Sequence, residues 1–252
     1  MMVLIEQESH LSKKSKPTNT SGPVQTTQTQ FFQEIHPPRP EKLKALNDAQ
    51  QRYINAINTF PLTFGVGPAG SGKSFCATRM AIDALLDKDV DRIILTRPAV
   101  EAGENLGALP GELEEKYAPY IAPIREVLEE TLGKSFTTYL IEKTDRIQPR
   151  PLAFLRGTTF KRSFVILDEA QNLTPTQMKL FLTRIGEDCT VVVNGDITQK
   201  DISGKSGLED AIERLSFIPS IKVITFSNKD IVRSGLCQEI VEAYSQKFPK
   251  LD

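Results

Sequence analysis

Residues 67–74 read GPAGSGKS, the pattern G-x-x-x-x-G-K-[ST]. That spacing suits phosphate chemistry. Glycines let the backbone curl so that successive N–H groups point inward at phosphate oxygens. A helix starting near Lys73 adds the positive end of its dipole. Gly67, Pro68, Ala69, Gly70, Ser71 and Gly72 would form the cradle. Lys73 would reach the β and γ phosphates, and the Ser74 hydroxyl would ligate Mg²⁺. A plain glycine-rich turn is the rival reading. It leaves unexplained the apolar run before the motif and the amphipathic run after it.

A second chemical cluster is FVILDEAQ at 164–171, an apolar run that ends in two carboxylates. After a phosphate loop, an acid at this point holds Mg²⁺, so Asp168 takes that role. Glu169 is placed to orient or deprotonate an attacking water. The rival is a solvated strand end. A third cluster is VVVNGDITQ at 191–199. Here Gln199 would sense the γ-phosphate, against the alternative of a tight turn at Asn194–Gly195. Upstream, LNDAQQRYINAI at 46–57 contains Gln50. Its amide could read an adenine edge, which would select ATP. Equally, Asn47 is a good helix N-cap and Gln50 completes a capping-box-like pair with it.

These groups need a scaffold that brings them to one edge. Five short apolar runs supply it: LTFGV (62–66), RIILT (92–96), FVILD (164–168), TVVVN (190–194) and KVITF (222–226). Their near-continuous apolar character suits strands buried on both faces of a parallel sheet. Helical patterns lie between them. In KSFCATRMAIDALLD, Cys76, Met80 and Ala84 make one stripe and Ala77, Ala81 and Leu85 the next. PTQMKLFLTRIG (175–186) repeats the logic, with Pro175 suited to a helix start. Alternating strands and helices predict an α/β sandwich.

The stretch 101–162 breaks the alternation and reads as a helical insertion. Residues 101–130 hold eight acids against Lys116 and Arg125, and residues 143–162 hold six basic residues against Asp145. Two solvated helix faces would explain this, and so would a surface for another subunit or a polyanion. Residues 12–30 contain one strong apolar residue, Val24. They cannot bury enough surface to offset the entropy of ordering, so residues 1–40 are expected to be a disordered tail and linker. The ordered domain is expected over 41–252.

Composition removes several classes of chemistry. The net charge is −1, from 31 basic and 32 acidic residues, which leaves no globally basic face. Cys76, Cys189 and Cys237 are far apart and in apolar surroundings, so neither a disulfide frame nor a metal site is expected. The two histidines, His10 and His36, sit in the polar tail. Histidine-based catalysis is therefore not expected. No apolar run approaches the ~18 residues of a membrane span. The N-terminus lacks the charged start of a secretory signal, and a cytoplasmic protein is expected.

The assembled blocks resemble the PhoH-like family of phosphate-loop ATPases. The resemblance covers roughly residues 41–246 and rests on GPAGSGKS, LTRPAVEAGENLGALPGEL, LAFLRGTTF, VILDEAQN, QMKLFLTRIG, VVVNGDITQ, KSGLEDAI and DIVRSGL. That family is similar to the nucleotide-binding domain of superfamily 1 helicases. The resemblance implies a P-loop NTPase with a five-stranded parallel sheet in the order 5-1-4-3-2. It implies ATP binding and hydrolysis with a link to RNA; the expected activity is Mg²⁺-dependent, and its expected output is movement on, or remodelling of, single-stranded RNA or DNA. By position it gives Gln50 the adenine, Asp168 and Glu169 the metal and water, and Gln199 the γ-phosphate. One departure stands in LAFLRGTTF, where Thr158 replaces the second arginine of the family's Arg-Gly-Arg-Thr.

Two other functions fit parts of the pattern. One is an ATP-binding regulator whose hydrolysis times a protein contact. The other is a small-molecule phosphotransferase, which the Asp168–Glu169 pair disfavours. The ordered chain is long enough for one helicase-like domain, not two. A head-to-tail homo-oligomeric ring, a hexamer by resemblance, would supply the missing transition-state arginine in trans. Arg233 is the first candidate and Arg184 the second. Within the basic stretch, Arg146, Arg150 and Arg162 are the expected strand contacts.

Overall fold

In the computed structural model the described residues are 39–98, 113–232, 235 and 240, with backbone alone at 113–116. They fall within one compact unit, Pro37–Asp252. The predicted tail lies outside them up to residue 38.

Helix α1 (Asp48–Thr59) starts as its sequence dictates, with Asn47 as N-cap accepting the Gln50 N–H at 2.9 Å. It buries Ala49, Gln50, Tyr53, Ala56 and Ile57, one stripe at helical spacing. Strand β1 (Leu62–Val66) is buried along its length and leads into helix α2 (Lys73–Leu86). In α2 both expected stripes face inward, with Ala84 half-buried. Then follow β2 (Arg92–Thr96), α3 (Leu113–Leu132), α4 (Lys134–Glu142), β3 (Ile147–Pro149) and β4 (Ser163–Leu167). The chain continues through α5 (Pro175–Leu182), β5 (Thr190–Gly195), α6 (Gly207–Leu215) and β6 (Ile221–Thr225). Thr174 and Ser206 open α5 and α6 with capping boxes, and Pro175 occupies the first turn of α5 as predicted.

All strand pairs are parallel, in the order β3-β2-β4-β5-β1-β6. This contains the expected five-strand order and adds a sixth strand at the edge. Ile147–Pro149 is too short to give an apolar run. Its proline needs no donor partner on an outer edge. The expected insertion therefore ends early, because residues 147–149 belong to the main sheet. At the other edge, β6 departs from the doubly buried expectation, since Lys222 and Thr225 are exposed.

Alternate residues serve two faces. Leu62, Phe64, Val66, Val165, Leu167, Val191 and Val193 pack with Met178 and Phe181 of α5 and Leu208 and Ala211 of α6. Helices α1 and α2 cover the other face. Each such side chain taken out of water contributes about 1.5–3 kcal/mol. The sheet is thus a rigid plate whose carboxyl edge carries the loops 67–72, 97–98, 168–174 and 196–206. No helix among the described residues is long and apolar enough to cross a membrane.

Candidate active site

The phosphate loop leaves β1 and is held from both sides. Gly67 has φ +145°, and a Cβ there would stand 2.3 Å from the Phe226 carbonyl oxygen. Gly72 has φ +84°, and a Cβ there would meet Gln50 Nε2 at 2.5 Å. Side chains at these points would push the loop off its neighbours. Ser71 Oγ donates to the Pro68 carbonyl at 2.9 Å. Val232 N–H donates to the Gly70 carbonyl at 2.9 Å, so the segment beyond β6 also braces the loop.

Lys73 is nearly buried and donates to Gly67 O at 2.7 Å, Pro68 O at 2.8 Å and Ser71 Oγ at 3.1 Å. Burial lowers its pKa, while the charges of Asp168, Asp196 and Glu169 pull it back up. Ser74 Oγ donates to Asp168 Oδ1 at 2.8 Å. Asp168 is 6% exposed, and burial raises its pKa against the Ser74 hydrogen bond that lowers it. A hydroxyl and a buried carboxylate in contact form a hard-oxygen pair. That donor set fits Mg²⁺, which keeps several waters and takes one or two protein ligands.

Glu169 follows in a left-handed conformation, φ 53°, uncommon for a residue with a side chain. Its Oε1 pairs with Arg97 Nη2 at 3.1 Å, and its Oε2 accepts from Gln171 Nε2 at 2.6 Å. Gln171 is 1% exposed and links three groups. It also donates to Gln199 O at 3.2 Å and accepts from Asp196 N–H at 3.0 Å. Gln199 Nε2 in turn donates to Asp196 Oδ2 at 2.8 Å. The rival turn at Asn194–Gly195 does not form, because both residues belong to β5; a turn follows at Asp196–Gln199, where Gln199 N–H closes onto Asp196 O at 3.0 Å. Asn194 instead points inward and accepts from Tyr53 Oη at 2.5 Å.

The structure therefore gathers Gln50, Gly67 to Ser74, Asp168, Glu169 and Gln199 at one sheet edge. Gln50 is buried against the phosphate loop, donating to Ser71 O at 3.0 Å and accepting from Leu46 N–H at 2.9 Å. The predicted capping box is half present. Asn47 caps Gln50, but the Gln50 side chain caps Leu46 and not Asn47. Arg233 lies outside the described residues. Arg184 sits beyond α5, with Nε donating to Leu180 O at 3.3 Å, near the opposite sheet edge. Two of the expected strand contacts are also elsewhere. Arg146 Nη2 donates to Leu85 O at 3.2 Å, and Arg162 pairs with Asp91 at 3.1 Å. Asp91 precedes β2, so both arginines brace the amino edge of the sheet. Thr158, the family departure, closes a local turn onto Leu155 O at 2.8 Å.

Sequence reasoning assigned no role to Arg97 or Gln171, and named Asp196 only with Gln199 as a polar turn that could contact the γ-phosphate or the water. The available signal was position. Each follows the carboxyl end of a parallel strand, the edge where α/β sheets bind ligands. Cys76 and Cys189 are buried, and burial pushes the Cys76 thiol up to about 11. Among the described residues no cluster of three or more His, Cys, Asp or Glu side chains could hold a metal.

The pattern of the family described as PhoH-like protein matches residues 42–245. Protein PhoH of Escherichia coli (strain K12) is 48% identical over 204 residues, covering 80% of this chain and 58% of the relative. A PhoH-like protein of Bacillus subtilis (strain 168) is 46% identical over 200 residues, covering 79% of this chain and 62% of the relative. The chain thus spans less than two-thirds of either relative's length. Among solved structures, the Pif1 helicase from Candida albicans is 16% identical with a TM-score of 0.38, over 73% of this chain and 40% of that one.

Proposed function

This chain belongs to the PhoH-like protein family, and on that premise we propose that it binds ATP with Mg²⁺ and hydrolyses it to ADP and phosphate. The observation that carries the reading is the contact of Ser74 Oγ with Asp168 at 2.8 Å, with Glu169 next in the chain. It joins the phosphate loop to the acidic strand end at one sheet edge. Ser74 and Asp168 would hold Mg²⁺, which supplies charge neutralisation on the phosphates. Lys73, now bonded to its own loop carbonyls, would turn to the β and γ oxygens. Those are charge-assisted acceptors and stronger than neutral carbonyls. Glu169 would orient a water and take its proton as the water oxygen bonds phosphorus and the β–γ bridge breaks. Gln199 and Asp196 would sense the departing phosphate through Gln171. Measured phosphate release tests the site. Lys73→Ala should fall at least ~100-fold below the parent protein, since preorganised charge of this kind commonly supplies that much. Near-parent turnover would remove the site assignment.

The output we propose is movement on single-stranded RNA or DNA in the cytoplasm. Support comes from a surface after β3. Phe154 is 56% exposed and lies between Arg150 and Arg156. An exposed aromatic flanked by cations suits bases that stack and phosphates that pair. A homo-oligomeric ring, a hexamer by family resemblance, with Arg233 acting in trans, belongs to the same proposal. A sedimentation profile showing an active monomer would sink it.

A further inference from the structure

Arg97 comes directly after Thr96, the last residue of β2. Its backbone is pinned twice by one phenol. The Arg97 N–H donates to Tyr117 Oη at 2.6 Å, and Tyr117 Oη donates to Arg97 O at 3.0 Å. Tyr117 is 1% exposed and stacks on Tyr120 with ring centroids 6.0 Å apart. Both tyrosines belong to α3, the helix of the insertion. The guanidinium then divides. Nη1 donates to the Tyr120 carbonyl at 3.2 Å, and Nη2 reaches Glu169 Oε1 at 3.1 Å. One side chain thus connects the insertion to the carboxylate proposed to handle the water.

The geometry decides between blocking and aiming. Glu169 accepts one bond at each oxygen, from Arg97 and from Gln171. A carboxylate offers about four lone-pair sites. One remains free on each oxygen, so a water can still be held. Two bonds on opposite oxygens do fix the plane of the carboxyl group. That matters because Glu169 stands in a left-handed conformation at a half-exposed strand end. We propose that Arg97 is a positioning residue for hydrolysis. Together with Gln171 it sets the Glu169 carboxylate plane, and it makes that plane depend on helix α3. The inference rests on the reading of Glu169 as the water-orienting group.

Helix α3 is suited to transmit a change. Pro119 and Pro123 lie within it, and neither has an N–H to give the helical ladder. Tyr120 sits between them, so Arg97 grips α3 at its weakest turn. A shift there moves the guanidinium and, through it, Glu169. The insertion thereby gains a route to turnover that does not pass through the phosphate loop.

The test combines steady-state ATP hydrolysis with direct binding of a fluorescent ATP analogue. The variants are Arg97→Ala, Arg97→Lys, Tyr117→Phe, Glu169→Gln and the Arg97→Ala/Glu169→Gln pair. Arg97→Ala should lower kcat ~10-fold or more, as a misplaced reacting group does, with KM and analogue affinity nearly unchanged. Arg97→Lys should recover part of the loss, and Tyr117→Phe should show a smaller loss of the same kind. In the Glu169→Gln background, Arg97→Ala should add little, because the two act as one unit. Equal losses in both backgrounds, weakened analogue binding, or a rate that rises on Arg97→Ala would each overturn the proposal. Loss in Glu169→Gln with a full rate in Arg97→Ala overturns the positioning alone. If Glu169→Gln turns over normally, the role of Glu169 is wrong and the positioning falls with it.

Discussion

Gln50 shows how far single residues could be read. Its two readings, adenine contact and helix cap, were equally legible because an amide serves both. The structure commits both amide atoms to backbone, the Leu46 N–H and the Ser71 carbonyl. Gln50 therefore clamps the phosphate loop to α1 as the protein stands. Removing a buried partner of this kind costs about 1–3 kcal/mol. Gln50→Ala should lower the melting temperature and weaken ATP and GTP alike in a binding titration. An unchanged melting temperature with loss of ATP preference alone would return Gln50 to the adenine. That Ser74 and Asp168 would meet at one sheet edge was legible, since both follow the carboxyl ends of apolar strands. Gln171 was not. Its role depends on meeting Asp196 and Gln199 across the sheet edge, and no local pattern encodes that.

Among the elements, the buried strands announced themselves, and so did the edge strand β6, but the other edge, β3, did not. β1, β2, β4 and β5 are apolar because both faces are covered. β3 has three residues and a proline, and its membership depends on β2 lying beside it. The same crossing explains the misplaced arginines. Charge counting pooled residues 143–162 as one basic surface. The chain instead runs along β3 and returns over the sheet, which sends Arg146 and Arg162 to the amino edge, pairs Arg150 with Asp145 at 3.8 Å, and leaves Phe154 and Arg156 exposed. Phe154→Ala or Arg156→Ala should therefore reduce strand-stimulated ATP hydrolysis severalfold and leave the unstimulated rate intact. The stimulated component should also weaken with salt. A parallel fall in both rates would show that the segment supports the fold instead.

At the scale of the whole molecule, one parallel plate carries four loops to one edge, and rigid packing makes their spacing reproducible. The strand order was legible only through the family resemblance, and the structure contains it as β6-β1-β5-β4-β2. The sixth strand and the α3–Arg97–Glu169 link were not, since both arise from tertiary contact. In the proposed hydrolysis of ATP at this edge, labour is divided: Ser74 and Asp168 toward the metal, Glu169 toward the water. The most direct measurement takes Glu169→Gln and records ATP affinity and phosphate release on the same protein. ATP binding should stay within about threefold of the parent in the presence of Mg²⁺, and phosphate release should fall by ~100-fold or more, the usual contribution of a general base. Parent-like phosphate release, or binding lost in step with turnover, would contradict that division of labour.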